Sequence, residues 1–121
     1  MTNLRDIKDQ PPIRVWEGVA ARTIEGERIT LAVVELDPDA IVPEHRHPNE
    51  QLGMVIRGEL GFRIGREERV VGPGGTWRIA ANEPHEVHVG PAGAEVIDIF
   101  SPIREDWHAL PVEPARKPRW P

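Results

Sequence analysis

From residue 13 onward the chain alternates short apolar and β-branched runs with glycine- and proline-bearing breaks, and no stretch sustains the three-to-four-residue apolar spacing of a helix. Residues 13–16 are the first predicted strand. The next, 28–36, carries Ile29, Thr30, Val33 and Val34 in a nearly unbroken run, as a strand buried on both faces would, and stops at the turn signal Asp37-Pro38-Asp39. Ile41 and Val42 lead out of that turn. The pattern then predicts strands over 51–57 and 60–64, joined by Gly58-Glu59 as a two-residue type II′ turn. Gly65-Arg66 predicts another hairpin and 67–71 another strand, closed by Gly72-Pro73-Gly74-Gly75, the densest turn signal in the chain. Strands over 76–79, 85–89 and 95–100 follow, the last two separated by Gly90-Pro91-Ala92-Gly93. About nine short strands at this spacing predict an all-β sandwich or barrel, and 104–110 has room for a single helical turn.

Length and composition sharpen this. A chain of 121 residues holds one core, so a single domain is expected over 13–110. Before it, residues 1–12 are polar and end in Pro11-Pro12, which predicts an extended arm. After it, the tail 111–121 holds prolines 111, 114, 118 and 121 with Arg116, Lys117 and Arg119. It is expected to be extended and mobile, with Trp120 available to dock on the body or on a neighbouring copy. A net charge of −5 argues against a nucleic-acid surface. The absence of cysteine excludes a disulfide framework, a thiolate ligand and a cysteine nucleophile. No run is long and apolar enough for a bilayer or a secretory leader, so no membrane partner and a cytoplasmic location are expected.

The candidate chemistry lies between residues 43 and 58. His45 and His47 are two residues apart, so on extended backbone both imidazoles leave the same face and can share a metal ion. Glu50 and Gln51 have opposite parity, so only one of them can point with the histidines, and Pro48 leaves open which. His85, after the Pro84 turn, is a further donor, whereas His88 faces the other side of its strand.

His45-x-His47-x-x-x-Gln51, followed after six residues by Gly58, resembles the first motif of the cupin superfamily, with Gln where many members have Glu. The segment from Gly74 to His85 resembles the second motif, with Ala80 in place of the usual Pro and Asn82 in place of the usual Gly. Asn is the non-glycine residue that best accepts a left-handed turn. The resemblance spans roughly residues 30–106. It implies a single-domain double-stranded β-helix of jelly-roll type, with His45, His47, Gln51 and His85 as ligands of one divalent transition metal: Zn, Ni, Fe, Mn or Cu. All four donors are neutral, which would leave the ion its full charge for polarising a bound oxygen.

The ending Asp98-Ile99-Phe100-Ser101-Pro102-Ile103-Arg104 is similar to that of small cupins of pectin and alginate degradation, which convert a 4,5-unsaturated monouronate to its linear ketouronate. That resemblance implies Asp98 as proton shuttle, Arg104 as holder of the substrate carboxylate and Phe100 as a pocket wall. The expected substrate is a small carboxylated molecule. The residues alone also allow Asp98 and Arg104 to be a structural ion pair with Phe100 in the core. Among cupins, the same ligand set also allows a dioxygenase, cyclase or lyase, or a binding domain without turnover. Trp16, Trp77 and Trp107 read as core or interface anchors, although Trp77 or Arg78 could point into the barrel. Residues 66–69 read as a solvated hairpin and His108 as surface. A homodimer is expected, exchanging the arm or the tail.

Overall fold

The computed structural model describes residues 2–121, and among them every regular element except two short 3-10 helices is a strand. The strands are β1 (Ile13–Trp16), β2 (Val19–Glu25), β3 (Thr30–Leu36), β4 (Ile41–His45), β5 (Glu50–Ile64), β6 (Glu67–Val71), β7 (Thr76–Ile79) and β8 (His85–Ser101). Their order is β1-β2-β3-β8-β5-β6, with β4 added on β8 and β7 on β5. All the pairings are antiparallel. The fold is all-β and of the expected class.

Two predicted hairpins do not exist. Gly58-Glu59 and Gly90–Gly93 lie inside β5 and β8, which pair with each other from Glu50↔Ser101 to Ile64↔His85. Instead of reversing the chain, Gly58 (φ 84°) and Gly93 (φ 75°) sit where the ladder bends, next to its register shifts. A Cβ on Gly58 would stand 2.0 Å from the Gly93 carbonyl oxygen, so the two strands touch backbone to backbone at the bend. A glycine that supplies a positive φ suits a turn and a bend equally, and the local pattern does not distinguish them.

The bend sorts the pairings into two walls. The early part of β5 pairs with β7 and with the late part of β8, which continues into β3, β2 and β1. Beyond the bend, β5 pairs with β6 and with the early part of β8, which continues into β4. Between the walls lies the core, with Val34, Leu36, Val55, Leu60, Ile79 and Val96 among its buried members. Strand β2 was not foreseen, because Ala20-Ala21-Arg22 lacks β-branched residues; it is nevertheless buried from Val19 to Arg22. Burial on both faces of β3 accords with its sequence.

Residues 7–12 and the C-terminal tail lie against the barrel. A 3-10 helix, Ile7–Asp9, interrupts the N-terminal arm, and the Gln10 carbonyl accepts a bond from Arg22 Nε at 2.9 Å. In the tail, Val112 bridges to Ile13, and the Arg116 carbonyl accepts from Arg22 Nη2 at 2.8 Å. Glu35, 1 % exposed, accepts from the Arg116 guanidinium, the Arg119 backbone N–H and Arg22. Arg116 and Arg119, two of the three basic residues expected to mark a mobile end, are thus gathered on one buried acid. Burial pushes the Glu35 carboxyl up, but the bonds from Arg119 and Arg116 and the nearby cations outweigh it and hold the carboxyl below its ordinary range.

Candidate metal centre

The mouth of the barrel is where β4 ends and where β5 and β8 each have an end. His45 closes β4 and pairs with His85, the first residue of β8. Gln51, the second residue of β5, pairs with Phe100 near the end of β8. Strand alternation turns Gln51 inward and leaves Glu50 exposed, which resolves the parity left open by Pro48. His88 lies on the outside beside Glu86.

One ring nitrogen from each of His45, His47 and His85 lies within 4.8 Å of the others. The Nδ1 atoms have other business: that of His45 faces the Pro43 carbonyl at 2.8 Å, that of His47 the Asn49 carbonyl at 3.0 Å, and that of His85 the Glu83 carbonyl at 2.8 Å. Only a ring nitrogen that carries hydrogen satisfies a carbonyl, so each ring donates from Nδ1 and keeps its Nε2 lone pair free. His47 makes the need explicit, because its Nε2 also faces an oxygen, Gln51 Oε1, at 3.1 Å. A neutral imidazole has one N–H and cannot donate to both. Burial depresses all three histidines, His85 to about 4, and the neighbouring positive groups push the same way. The Nε2–Oε1 contact is therefore one that a bound cation would satisfy, and the donor set fits a divalent metal.

Asp98 stands behind Gln51. Its Oδ1 accepts from Gln51 Nε2 and from Trp77 Nε1, each at 2.8 Å. Burial pushes its carboxyl up to about 6, against the pull of those two bonds and of Arg104. Its partners are an amide and an indole, so Asp98 and Arg104 do not form the structural ion pair that the residues alone allowed. Arg104 is instead clamped by Asp106, which takes Nε at 3.0 Å and Nη2 at 2.9 Å. Its guanidinium carbon lies 4.6 Å from the centre of the Phe100 ring and 4.5 Å from that of Trp107. Asp98, Phe100 and Arg104 share with His45, Gln51 and His85 the wall of one cavity of about 270 Å³. That is close to the lower end of small-ligand sites, roughly 300–1,000 Å³.

The sequence from residue 32 to residue 100, more than half of the chain, matches the cupin domain family. The chain belongs to the cupin family. No curated protein matches it. Among solved structures, KdgF from a Halomonas species is similar with a TM-score of 0.79 at 22% identity, covering 88% of this cupin and 98% of that chain. An RmlC-like cupin from Shewanella frigidimarina gives 0.81 at 20% identity, covering 88% and 96%. An oxalate decarboxylase from Bacillus subtilis gives 0.75 at 22% identity, covering 90% of this cupin and 32% of that chain. At these identities the likeness is one of fold.

Of the three tryptophans, Trp77 reaches Asp98, the inward direction its sequence position allowed, whereas Trp16, which packs on His45 with ring centres 5.3 Å apart, and Trp107, which flanks Arg104, gave no sign of the site. All three are half-buried or buried, as anchors would be, yet they line the cavity. Asn49 gave no signal. It is 4 % exposed, its carbonyl takes the His47 Nδ1 bond, and its amide donates to the Pro102 and Ile103 carbonyls at 2.7 and 3.1 Å. One side chain thus ties the histidine loop to the segment that presents Arg104. Thr30 Oγ1 accepts the Arg104 backbone N–H at 3.0 Å from the other side.

Proposed function

We propose that this cupin is a metal-dependent enzyme that opens the ring of a 4,5-unsaturated monouronate to give the linear ketouronate. The observation that carries the reading is that a carboxyl group, a guanidinium and the neutral donors His45, Gln51 and His85 line one small cavity, with His47 converging on the same donors. His45, His47, His85 and Gln51 Oε1 would hold the ion. When bound, it supplies Lewis-acid polarisation of substrate oxygens without consuming a carboxylate ligand.

The chain's own residues account for the rest. The Nε/Nη2 edge of Arg104 is taken by Asp106, which leaves its remaining N–H groups to grip a substrate carboxylate in a forked, charge-assisted bond. Phe100 and Trp107 keep the guanidinium from turning. Opening the ring requires the anomeric hydroxyl to lose its proton as the bond from the anomeric carbon to the ring oxygen breaks. The electron pair of that bond passes to the ring oxygen, and the enolate so formed must then gain the proton at carbon to become the ketone. Asp98 Oδ1 is committed to two donors, so its other oxygen, Oδ2, is the one that receives the first proton and returns it to carbon.

The test is incubation of the metal-loaded protein with the unsaturated uronate, following the absorbance of its conjugated double bond. Loss of absorbance is expected, with a fall of roughly a hundredfold or more in kcat for Asp98→Asn. Unchanged absorbance over hours would overturn the reading, and undiminished turnover in Asp98→Asn would remove Asp98 from the proton step.

A further inference from the structure

From the metal donors a chain of contacts runs into the barrel wall. Gly53 of β5 pairs with Asp98 of β8 on one side and with Trp77 of β7 on the other. The Trp77 indole therefore reaches Asp98 only by crossing over β5 at Gly53. A Cβ there would stand 2.1 Å from the indole nitrogen, so the crossing requires glycine. Phe62 backs the indole, with ring centres 4.9 Å apart, and Trp77 is 6 % exposed.

The chemistry of the two donors at Asp98 differs. An indole N–H only donates, so it fixes Asp98 Oδ1 as an acceptor. A glutamine side-chain amide fits its space either way round, and the partner at its far end decides which way it points. A carboxylate accepts only from the amide nitrogen, which turns Gln51 Oε1 toward His47. We propose that Trp77 is a positioning residue for the metal and proton chemistry: its indole N–H, admitted by Gly53, holds Asp98 so that Gln51 offers oxygen to the metal and Asp98 Oδ2 is left for substrate. This rests on the metal reading given under Proposed function. One bond from the barrel wall would thus set both the third ligand's orientation and the reach of the proton-carrying group.

The experiment compares the parent, Trp77→Phe, Asp98→Asn and the double variant for Co2+ affinity, for the visible spectrum of bound Co2+ and for turnover at saturating metal. Phenylalanine keeps an aromatic ring and removes the N–H. Trp77→Phe is expected to weaken Co2+ binding roughly tenfold to a hundredfold, as loss of an outer-shell partner does, to alter the spectrum, and to lower kcat. The double variant is expected to bind Co2+ no more weakly than Asp98→Asn, because Trp77 acts through Asp98. Parent-like affinity and spectrum in Trp77→Phe would overturn the proposal alone, as would effects of the two substitutions that simply multiply. A parent chain that takes up no Co2+ would overturn the metal reading and this proposal with it. Should Trp77→Phe not fold, the 15N-labelled parent answers instead. A Trp77 indole N–H, assigned through its contacts with Phe62, that exchanges slowly with water and shifts in Gln51→Ala supports the proposal; one that exchanges freely and does not shift overturns it.

Discussion

Gln51 and Asp98 are matched donor to acceptor, and this bears on why the ligand is an amide. In Gln51→Glu two carboxylates would face each other across a distance now spanned by a 2.8 Å hydrogen bond, and both could not ionise. Asp98→Asn in the same chain restores a donor opposite an acceptor. The metal-free double variant should therefore recover most of the stability lost in Gln51→Glu, with a coupling energy of about 1–3 kcal/mol in a thermal-unfolding cycle. Strictly additive losses would show that the pair does not constrain itself. Much at this scale was legible: a two-residue strand period puts His45 with His47 and lets only one of Glu50 and Gln51 face inward. An inward reach was legible as one option for Trp77 or Arg78, but the partner of Trp77 was not, because Asp98 lies 21 positions away.

Among the elements, β5 and β8 decide the architecture, and they are where strand boundaries were misread. Positive φ at Gly58 and at Gly74 looks the same in sequence, but nothing lies within 4 Å of a Cβ on Gly74, whereas on Gly58 it would meet the Gly93 oxygen at 2.0 Å. Gly74→Ala should cost only the left-handed backbone penalty, about 1–2 kcal/mol. Gly58→Ala should cost that plus overpacking, about 1–3 kcal/mol more. Urea unfolding of the two variants separates these contributions, and equal losses would mean that the strands part easily at the bend. The strand spans far from the bends were legible from their apolar alternation. The joins were not, since continuity across a glycine depends on a partner strand distant in sequence.

For the whole molecule, the tail and the barrel meet at Glu35. Glu35→Leu would leave the buried Arg22, 2 % exposed, without its carboxylate and should cost about 3–5 kcal/mol. Because the folded Glu35 carboxyl sits below its ordinary value, its contribution is fully present above the unfolded value near 4.5 and is lost as pH falls through the lower, folded one. Melting temperature against pH should thus fall on the acid side of that window in the parent, and less steeply in Arg116→Ala. Identical slopes would show that Arg116 does not help to hold Glu35 ionised. The tail's charge was visible in the sequence, but its receptor was not, because a lone glutamate within a buried strand announces no partner. At the opposite end, the β5–β8 ladder returns upon itself: His85, at one end of β8, and Phe100, near the other, both lie against His47, with ring centres 4.9 and 5.7 Å away. A bent ribbon whose two tips hold the site behaves as a pair of tweezers. The gap between the tip that carries His85 and the tip that carries Asp98 and Phe100 is spanned by one ribbon that turns back at Gly58 and Gly93.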